Sequence, residues 1–365
     1  MAKKWFKRGG HHLRLFSKRR KSAGFTLIEL LVAMVIASII TSVLLFLVVQ
    51  LLQTSQRESA RSDTQREMQM ALDYIGRDLR EAVYVYDGNC LAATPTPPAG
   101  SSCTGLLRPG SLPPTISTGN NLPVLAFWRV DPLPPAIDQL CKTNAAAFSE
   151  KDKTRQDAAL LPISGIPCVS RRMYTLVVYS LNWNADPSKA DKPWNGRARI
   201  TRYQMPQYSY GAATAAAITP GWLFPAGSDA SFMSWPLDAK GVDAPTRGTP
   251  SDSGNTQVLV DFVDQKGLSS GTTDAVCPAV PLTNPVTPGY TLTPASANNR
   301  GFYVCVKGGE SNGNLNQEVS VFLQGNAAGR PGLPLNASNV PISMQTRVMT
   351  RGSLDKRIEG HSGDD

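Results

Sequence analysis

The sequence predicts an α+β protein in which one long N-terminal helix, membrane-spanning in its first half and amphipathic in its second, packs on an antiparallel β-sheet with long loops. Three observations predict it. From Leu30 to Val49 the only polar side chains are Ser38, Thr41 and Ser42, an apolar run of the length that crosses a bilayer as one helix. From Phe25 to Ile75 there is neither Gly nor Pro, and the first proline is Pro95, so nothing stops the helix where the run ends. After Cys90 the texture changes to Pro, Gly, Ser, Thr and Ala broken by short apolar alternations, which read as strands joined by turns.

Ahead of the run stand Lys3, Lys4, Lys7, Arg8, Arg14, Lys18, Arg19, Arg20 and Lys21 with no acid among residues 1–24. Positive charge beside an apolar span stays in the cytoplasm, so the N-terminal end is expected there and everything after Leu52 on the far side. Glu29 lies just inside the start of the run, where an unpaired carboxylate costs roughly 2.5 kcal/mol or more at mid-membrane depth. It needs a cationic partner. A secretory signal is cut after its apolar region at a small-x-small site, yet Gln53-Thr54-Ser55-Gln56-Arg57-Glu58 offers none. The small residue, Gly24, stands before the run instead.

Gly24-Phe25-Thr26-Leu27-Ile28-Glu29-Leu30-Leu31 resembles the consensus of the type IV prepilin family. There a leader peptidase cuts between glycine and phenylalanine, and the new N-terminal amine is methylated and stays cationic. The resemblance implies a leader over 1–24, processing at Gly24 and Phe25, a pilin-like fold, and assembly in which Phe25 of one subunit meets Glu29 of its neighbour. It also implies partners: a prepilin peptidase/methyltransferase, other pilins or pseudopilins, an inner-membrane assembly platform and membrane lipid. The rival reading of these residues is an uncut signal anchor in which Glu29 has no such role.

Residues 25–52 are expected to form the transmembrane and filament-core helix, and 53–89 a protruding continuation reaching about Asp87. Gln53 to Glu67 is polar all round, as in a solvated or subunit-lined stalk. Met68, Leu72, Ile75, Leu79, Ala82, Val83 and Tyr86 then recur at helical steps as one stripe that a globular domain must cover. Gly76 costs a helix about 1 kcal/mol, so a yield point is expected there. Arg77-Asp78-Leu79-Arg80 reads as a solvated helix face with local ion pairs.

The segment Ile75 to Ala82 resembles a stretch shared by larger minor pilins and J-type secretion pseudopilins. Gln65 to Ile75 and Asp78 to Asp87 resemble cyanobacterial hormogonium polysaccharide secretion pseudopilins of the C type, a likeness confined to residues 24 to about 90. It implies a role in polysaccharide export and gliding motility, with polysaccharide as a partner. Major pilins often carry a proline in mid-helix, where this chain has Phe46 and none. Tip pseudopilins lack the glutamate that this chain keeps as Glu29. The size of the chain, its candidate disulfides and its long loops suit a minor subunit.

In the β-rich domain, 90–351, strands are expected at Pro123–Val130, Met173–Leu181, Ala198–Tyr203, Val258–Val263, Phe302–Val306 and Val319–Leu323, with Met344–Met349 as an edge strand. Long connections at 91–121, 131–167, 205–255 and 265–300 separate them. Residues 352–365 read as a disordered tail.

Cys90, Cys103, Cys141, Cys168, Cys277 and Cys305 all follow the span, an even count on the oxidising side. Disulfides are expected. About fifteen connectivities are open to six cysteines; neighbour pairing closes the shortest loops, and Cys90 with Cys103 would contribute about 3 kcal/mol. There is no Cys-x-x-Cys, which argues against a zinc ribbon or a redox motif.

Removal of the leader takes nine of the 37 Lys+Arg and leaves 28, equal to the 28 Asp+Glu, so the basic balance belongs to the leader. No nucleic-acid partner is expected. The only histidine after residue 24 is His361, in the tail, so enzyme mechanisms that need a positioned histidine fall away. There is no P-loop or dinucleotide-binding turn, Asp261, Asp264 and Glu318 read as surface acids, and no catalytic residue, metal or cofactor is expected. The oxygen-rich loop Gly308–Asn314 lacks EF-hand spacing and reads as a turn. Trp183, Trp194, Trp222 and Trp235, in or near the long connections with Tyr208 and Tyr210, are candidate glycan contacts. They support a second reading, a membrane-tethered periplasmic adhesin or glycan-binding module.

Overall fold

The computed structural model describes residues 24–94, 103–149, 153–186, 192–225, 231–237, 248–252, 255–265, 275–278, 289–294, 301–309, 314–335 and 341–350. The leader before Gly24, the loop between Gly309 and Asn314, and the expected tail with His361 lie outside them. Two compact units are present, Met1–Ser55 and Gln56–Asp365.

Helix α1 runs unbroken from Leu27 to Arg80. In the first unit its side chains are exposed throughout, and this helix is apolar and long enough to cross a membrane. The hydroxyls of Ser38, Thr41 and Ser42 donate back to the carbonyls of Val35, Ala37 and Ser38 at 2.8, 2.8 and 2.7 Å. The run therefore satisfies its own hydroxyls without a neighbour.

In the second unit α1 is the spine of the core. Met68, Leu72, Ile75 and Leu79 are buried as the stripe predicts, joined by Ala71. The covered face reaches further back than expected, because Ala60 and Thr64 are buried too. A Cβ on Gly325 would approach Thr64 Cγ2 and Met68 Cγ to 2.9 Å, so the absence of a side chain there lets the sheet lie on the helix. The polar segment 53–67 thus stays mostly exposed, with Ala60 and Thr64 as its buried positions.

The helix does not yield at Gly76, which is buried with open contact to Val348. It ends at Arg80, earlier than the expected Asp87. Ala82–Val85 form strand β1, so Ala82 and Val83 leave the helical stripe, and Tyr86 follows the strand. The reason lies in the alternation Ala82-Val83-Tyr84-Val85-Tyr86: β-branched and aromatic residues lose side-chain freedom in a helix and pack well on a pleated surface.

The remaining strands are β2 (Asn121–Pro132), β3 (Arg172–Trp183), β4 (Ala198–Pro206), β5 (Thr256–Val263), β6 (Thr291–Thr293), β7 (Phe302–Gly309), β8 (Asn314–Gly325) and β9 (Ile342–Met349). Every strand expected from sequence is present and all pairings are antiparallel, while β1 and the three-residue β6 were not foreseen. The order is β1-β2-β3-β4-β5-β8-β7-β6, with β9 added to β8. Between β5 and β8 the pairing is a single residue wide, Val263 opposite Gly325, so two sub-sheets meet at a joint.

The sheet curls until its ends are bridged by side chains. Gln317 on β8 accepts from Val85 N–H at 2.8 Å and donates to Val85 O at 2.7 Å, substituting for a neighbouring strand beside β1. Thr293 Oγ1 on β6 donates to Val124 O on β2 at 2.6 Å. Inside the curl, Leu125 and Phe127 of β2, Val177 and Tyr179 of β3, Val304 and Val306 of β7 and Val319 and Val321 of β8 share one core with α1.

The opposite face of the large sub-sheet is also covered. Ala126, Trp128, Leu176 and Val178 form a second core with residues of the long connections, among them Leu91, Leu106, Ile116, Trp222, Phe232 and Trp235. Those connections carry short helices: α2 (Gly88–Leu91), α3 (Pro114–Ser117), α4 (Pro135–Thr143) and α5 (Lys153–Leu160). A smaller cluster around Ile137, Ile163 and Tyr208 closes the region between β2 and β3.

Candidate functional site

The first candidate is the head of α1. Thr26 caps the helix: its side-chain oxygen accepts from Glu29 N–H at 3.3 Å, and its carbonyl accepts from Glu29 and Leu30 at 3.0 and 3.2 Å. Glu29 sits in the first turn, where the helix dipole favours a negative charge by about 0.3–1 kcal/mol. That falls short of the cost of a carboxylate drawn into hydrocarbon, which reaches roughly 2.5 kcal/mol at mid-membrane depth. Among the described residues no cation meets it. Gly24 and Phe25 precede the helix outside any regular element and both are exposed, Phe25 to 81%.

The second site was missed by sequence reasoning. Asp78, expected on a solvated face, is buried. Its Oδ1 accepts from Arg129 Nη1 of β2 at 2.7 Å, and its Oδ2 from Tyr179 OH of β3 at 2.6 Å and Arg202 Nε of β4 at 2.8 Å. One carboxylate thus ties the end of α1 to three adjacent strands. Arg129 also pairs with Asp131, and Arg202 Nη1 donates to Gln204 Oε1 at 2.9 Å. Burial, then the adjacent carboxylate, push the Tyr179 phenol far up, so it remains a neutral donor. For Arg202 burial opposes the charge, but Asp78 more than offsets it and the guanidinium is held more firmly protonated. Arg77 and Arg80 stay solvated as expected.

All six cysteines are paired as neighbours: Cys90–Cys103, Cys141–Cys168 and Cys277–Cys305, with Cα separations of 5.2, 5.2 and 5.6 Å. These lie in the ordinary disulfide range. The first two staple long connections to themselves, and the third holds residues 275–278 to β7.

The four candidate tryptophans differ in exposure. Trp222 and Trp235 are buried, 5% and 0% exposed, and their indole N–H groups donate to Tyr174 O and Leu223 O, each at 3.1 Å. They pin connections to the sheet, so their place among the glycan candidates is corrected: a covered ring face cannot stack on a sugar. Trp183 packs half-buried against the inner core, and Trp194 is half-buried beside Asn195. Tyr208 is buried, whereas Tyr210 is 85% exposed.

The acids also have structural partners. Asp261 accepts from the N–H groups of Asn195 and Gly196, both at 2.9 Å, and Asp264 from Asn326 at 2.8 Å. Burial pushes the Asp264 carboxyl up, while the Arg347 contact holds Glu318 down.

A family model described as the prokaryotic N-terminal methylation motif matches residues 19–45. This motif, at the head of a long apolar helix that continues into an antiparallel curled sheet, supports a type IV pilin-like protein anchored in a membrane by α1. Such a motif marks a structural class and implies interaction with other pilins and a prepilin peptidase. No curated protein and no solved structure matches the chain.

Proposed function

We propose that this protein is a minor pilin or pseudopilin subunit, cut between Gly24 and Phe25 and N-methylated on Phe25. The mature chain keeps α1 in the inner membrane with residues 53 onward in the periplasm, an orientation supported by the nine leader cations. The carrying observation is Glu29, which the helix cap and dipole leave short of compensation in lipid. The cationic N-terminus of a neighbouring Phe25 resolves that deficit and sets the axial register between helices, which then bundle by packing. An assembly platform lifts the subunits into a filament, and the chain catalyses nothing.

The finer assignment, to polysaccharide export and gliding motility, is supported by the likeness of residues 65–87 to C-type hormogonium pseudopilins. In cells lacking the protein, export falls to background and intracellular polymer accumulates, as a polysaccharide assay on medium and cell fractions would read. Unchanged export removes that assignment and leaves the assembly reading standing. The tethered glycan-binding alternative is weaker for having lost the ring faces of Trp222 and Trp235.

A further inference from the structure

Two ends of the sheet are closed and one strand edge is open. The short β1 has Gln317 seated on Val85, and the three-residue β6 is tied to β2 through Thr293. β9 has no such cover. It pairs with β8 without a bulge, from Ile342 opposite Gly325 to Met349 opposite Glu318, and among the described residues no other strand adjoins it. Thr350 N–H donates to Gln317 O at 2.9 Å, so the even-numbered residues of β9 turn their backbone groups to β8. On β8, Gln324 gives its N–H to Gly301 O and accepts from Asp264 N–H, both at 2.8 Å, and so turns away from Ser343 opposite it. Ser343, Gln345, Arg347 and Met349 therefore aim N–H and C=O outward, and a regular edge of this kind is a template for another strand.

The usual devices that blunt an edge are missing: Ile342–Met349 holds no proline and no inward charge, and its one charged residue, Arg347, is paired with Glu318. On the inner face Val348 is buried, but Ile342, Met344 and Thr346 are only half-buried, a margin of the core that a further strand would finish covering. β9 is complementary to itself. Laid antiparallel on a second β9 with Thr346 opposite Thr346, it sets Gln345 against Arg347 and Ser343 against Met349 as hydrogen-bonded pairs, and Met344 against Val348 on the inner face. Every outward backbone group then has a partner and no like charges meet. A shift of two residues one way sets Arg347 against Arg347; the same shift the other way sets Met349 against Pro341, which has no N–H to give. One register is left, and it is the symmetric one.

We infer that β9 pairs with β9 of a second copy of this chain, joining two β-rich units into one continuous sheet about a two-fold axis at Thr346. The pairing involves the second unit alone and stands whether or not α1 crosses a membrane. All six native cysteines are bonded, so a cysteine introduced into the full chain in detergent is its one free thiol. Across a non-hydrogen-bonded pair the Cα atoms lie about 4.5 Å apart, within disulfide reach. Under mild oxidation Thr346→Cys is expected to form linked dimers about tenfold or more faster than Tyr210→Cys, an exposed control for random collision, because pairing holds the thiols together. Equal rates overturn the inference. A second series changes charge at an exposed position: Gln345→Lys, set against Arg347 of the other copy, weakens the dimer several-fold, and Gln345→Glu strengthens it. A dimer indifferent to both is held elsewhere, as by α1, and overturns the inference. So does Thr346→Cys in native membranes linking to a different protein and not to a second copy.

Discussion

Asp78→Ala lowers the free energy of unfolding by about 3–5 kcal/mol, the usual consequence of removing one partner from a buried ion pair. An exposed ion pair contributes about 0–1 kcal/mol, so burial decides the size of the effect. The side chain of Arg202 is only 9% exposed, and without Asp78 it keeps the Gln204 amide oxygen but loses its carboxylate. Tyr179 OH loses its acceptor at the same time. Arg129 suffers least because Asp131 remains beside it. Urea titration of the full chain in detergent, followed by tryptophan fluorescence, measures the loss. A change below about 1 kcal/mol would mean that the carboxylate is solvated and that the end of α1 is held by apolar contacts alone.

Glu29→Ala leaves processing at Gly24 intact and removes the protein from filaments. The substitution lies five residues beyond the cut, and it does not touch the Thr26 carbonyl, which caps the helix equally well. What it removes is the reason to assemble. A wild-type subunit alone in lipid carries a carboxylate whose cost rises with depth toward roughly 2.5 kcal/mol at mid-membrane and is relieved when a neighbour's amine arrives; alanine carries none and gains nothing. Each 1.4 kcal/mol is a factor of ten, so recovery in sheared filaments falls at least about tenfold relative to wild type. Glu29→Gln, isosteric but uncharged, falls with it. Normal recovery of both variants would remove charge pairing from the mechanism.

The helix, the strands and the head of α1 were legible because each depends on local pattern. The apolar run from Leu30 is long, the alternations at 173–181 and 319–323 are regular, and Gly24 to Leu31 is a contiguous motif. Asp78 was not legible, because its partners on β2, β3 and β4 are distant in sequence and only the sheet order brings them together. One signal existed: Thr64, Met68, Ala71, Ile75 and Asp78 follow one another at steps of four and three, so both polar members lie on the buried stripe. Their polarity points to solvent, whereas their position on the stripe points to the core. The end of α1 is the converse case, since the spacing of Ala82, Val83 and Tyr86 fits a helix while the residue types favour a strand. Trp222 and Trp235 sit in connections, which made them look available; the long connections fold back over the sheet and bury them.

On the proposed function, the chain works as a processed subunit whose new amine answers Glu29. Intact-protein mass spectrometry of material taken from native membranes tests it most directly. The expected species begins at a monomethylated Phe25 and lacks residues 1–24. A chain that still begins at Met1 would contradict it, leaving α1 as a plain anchor and Glu29 without its cation.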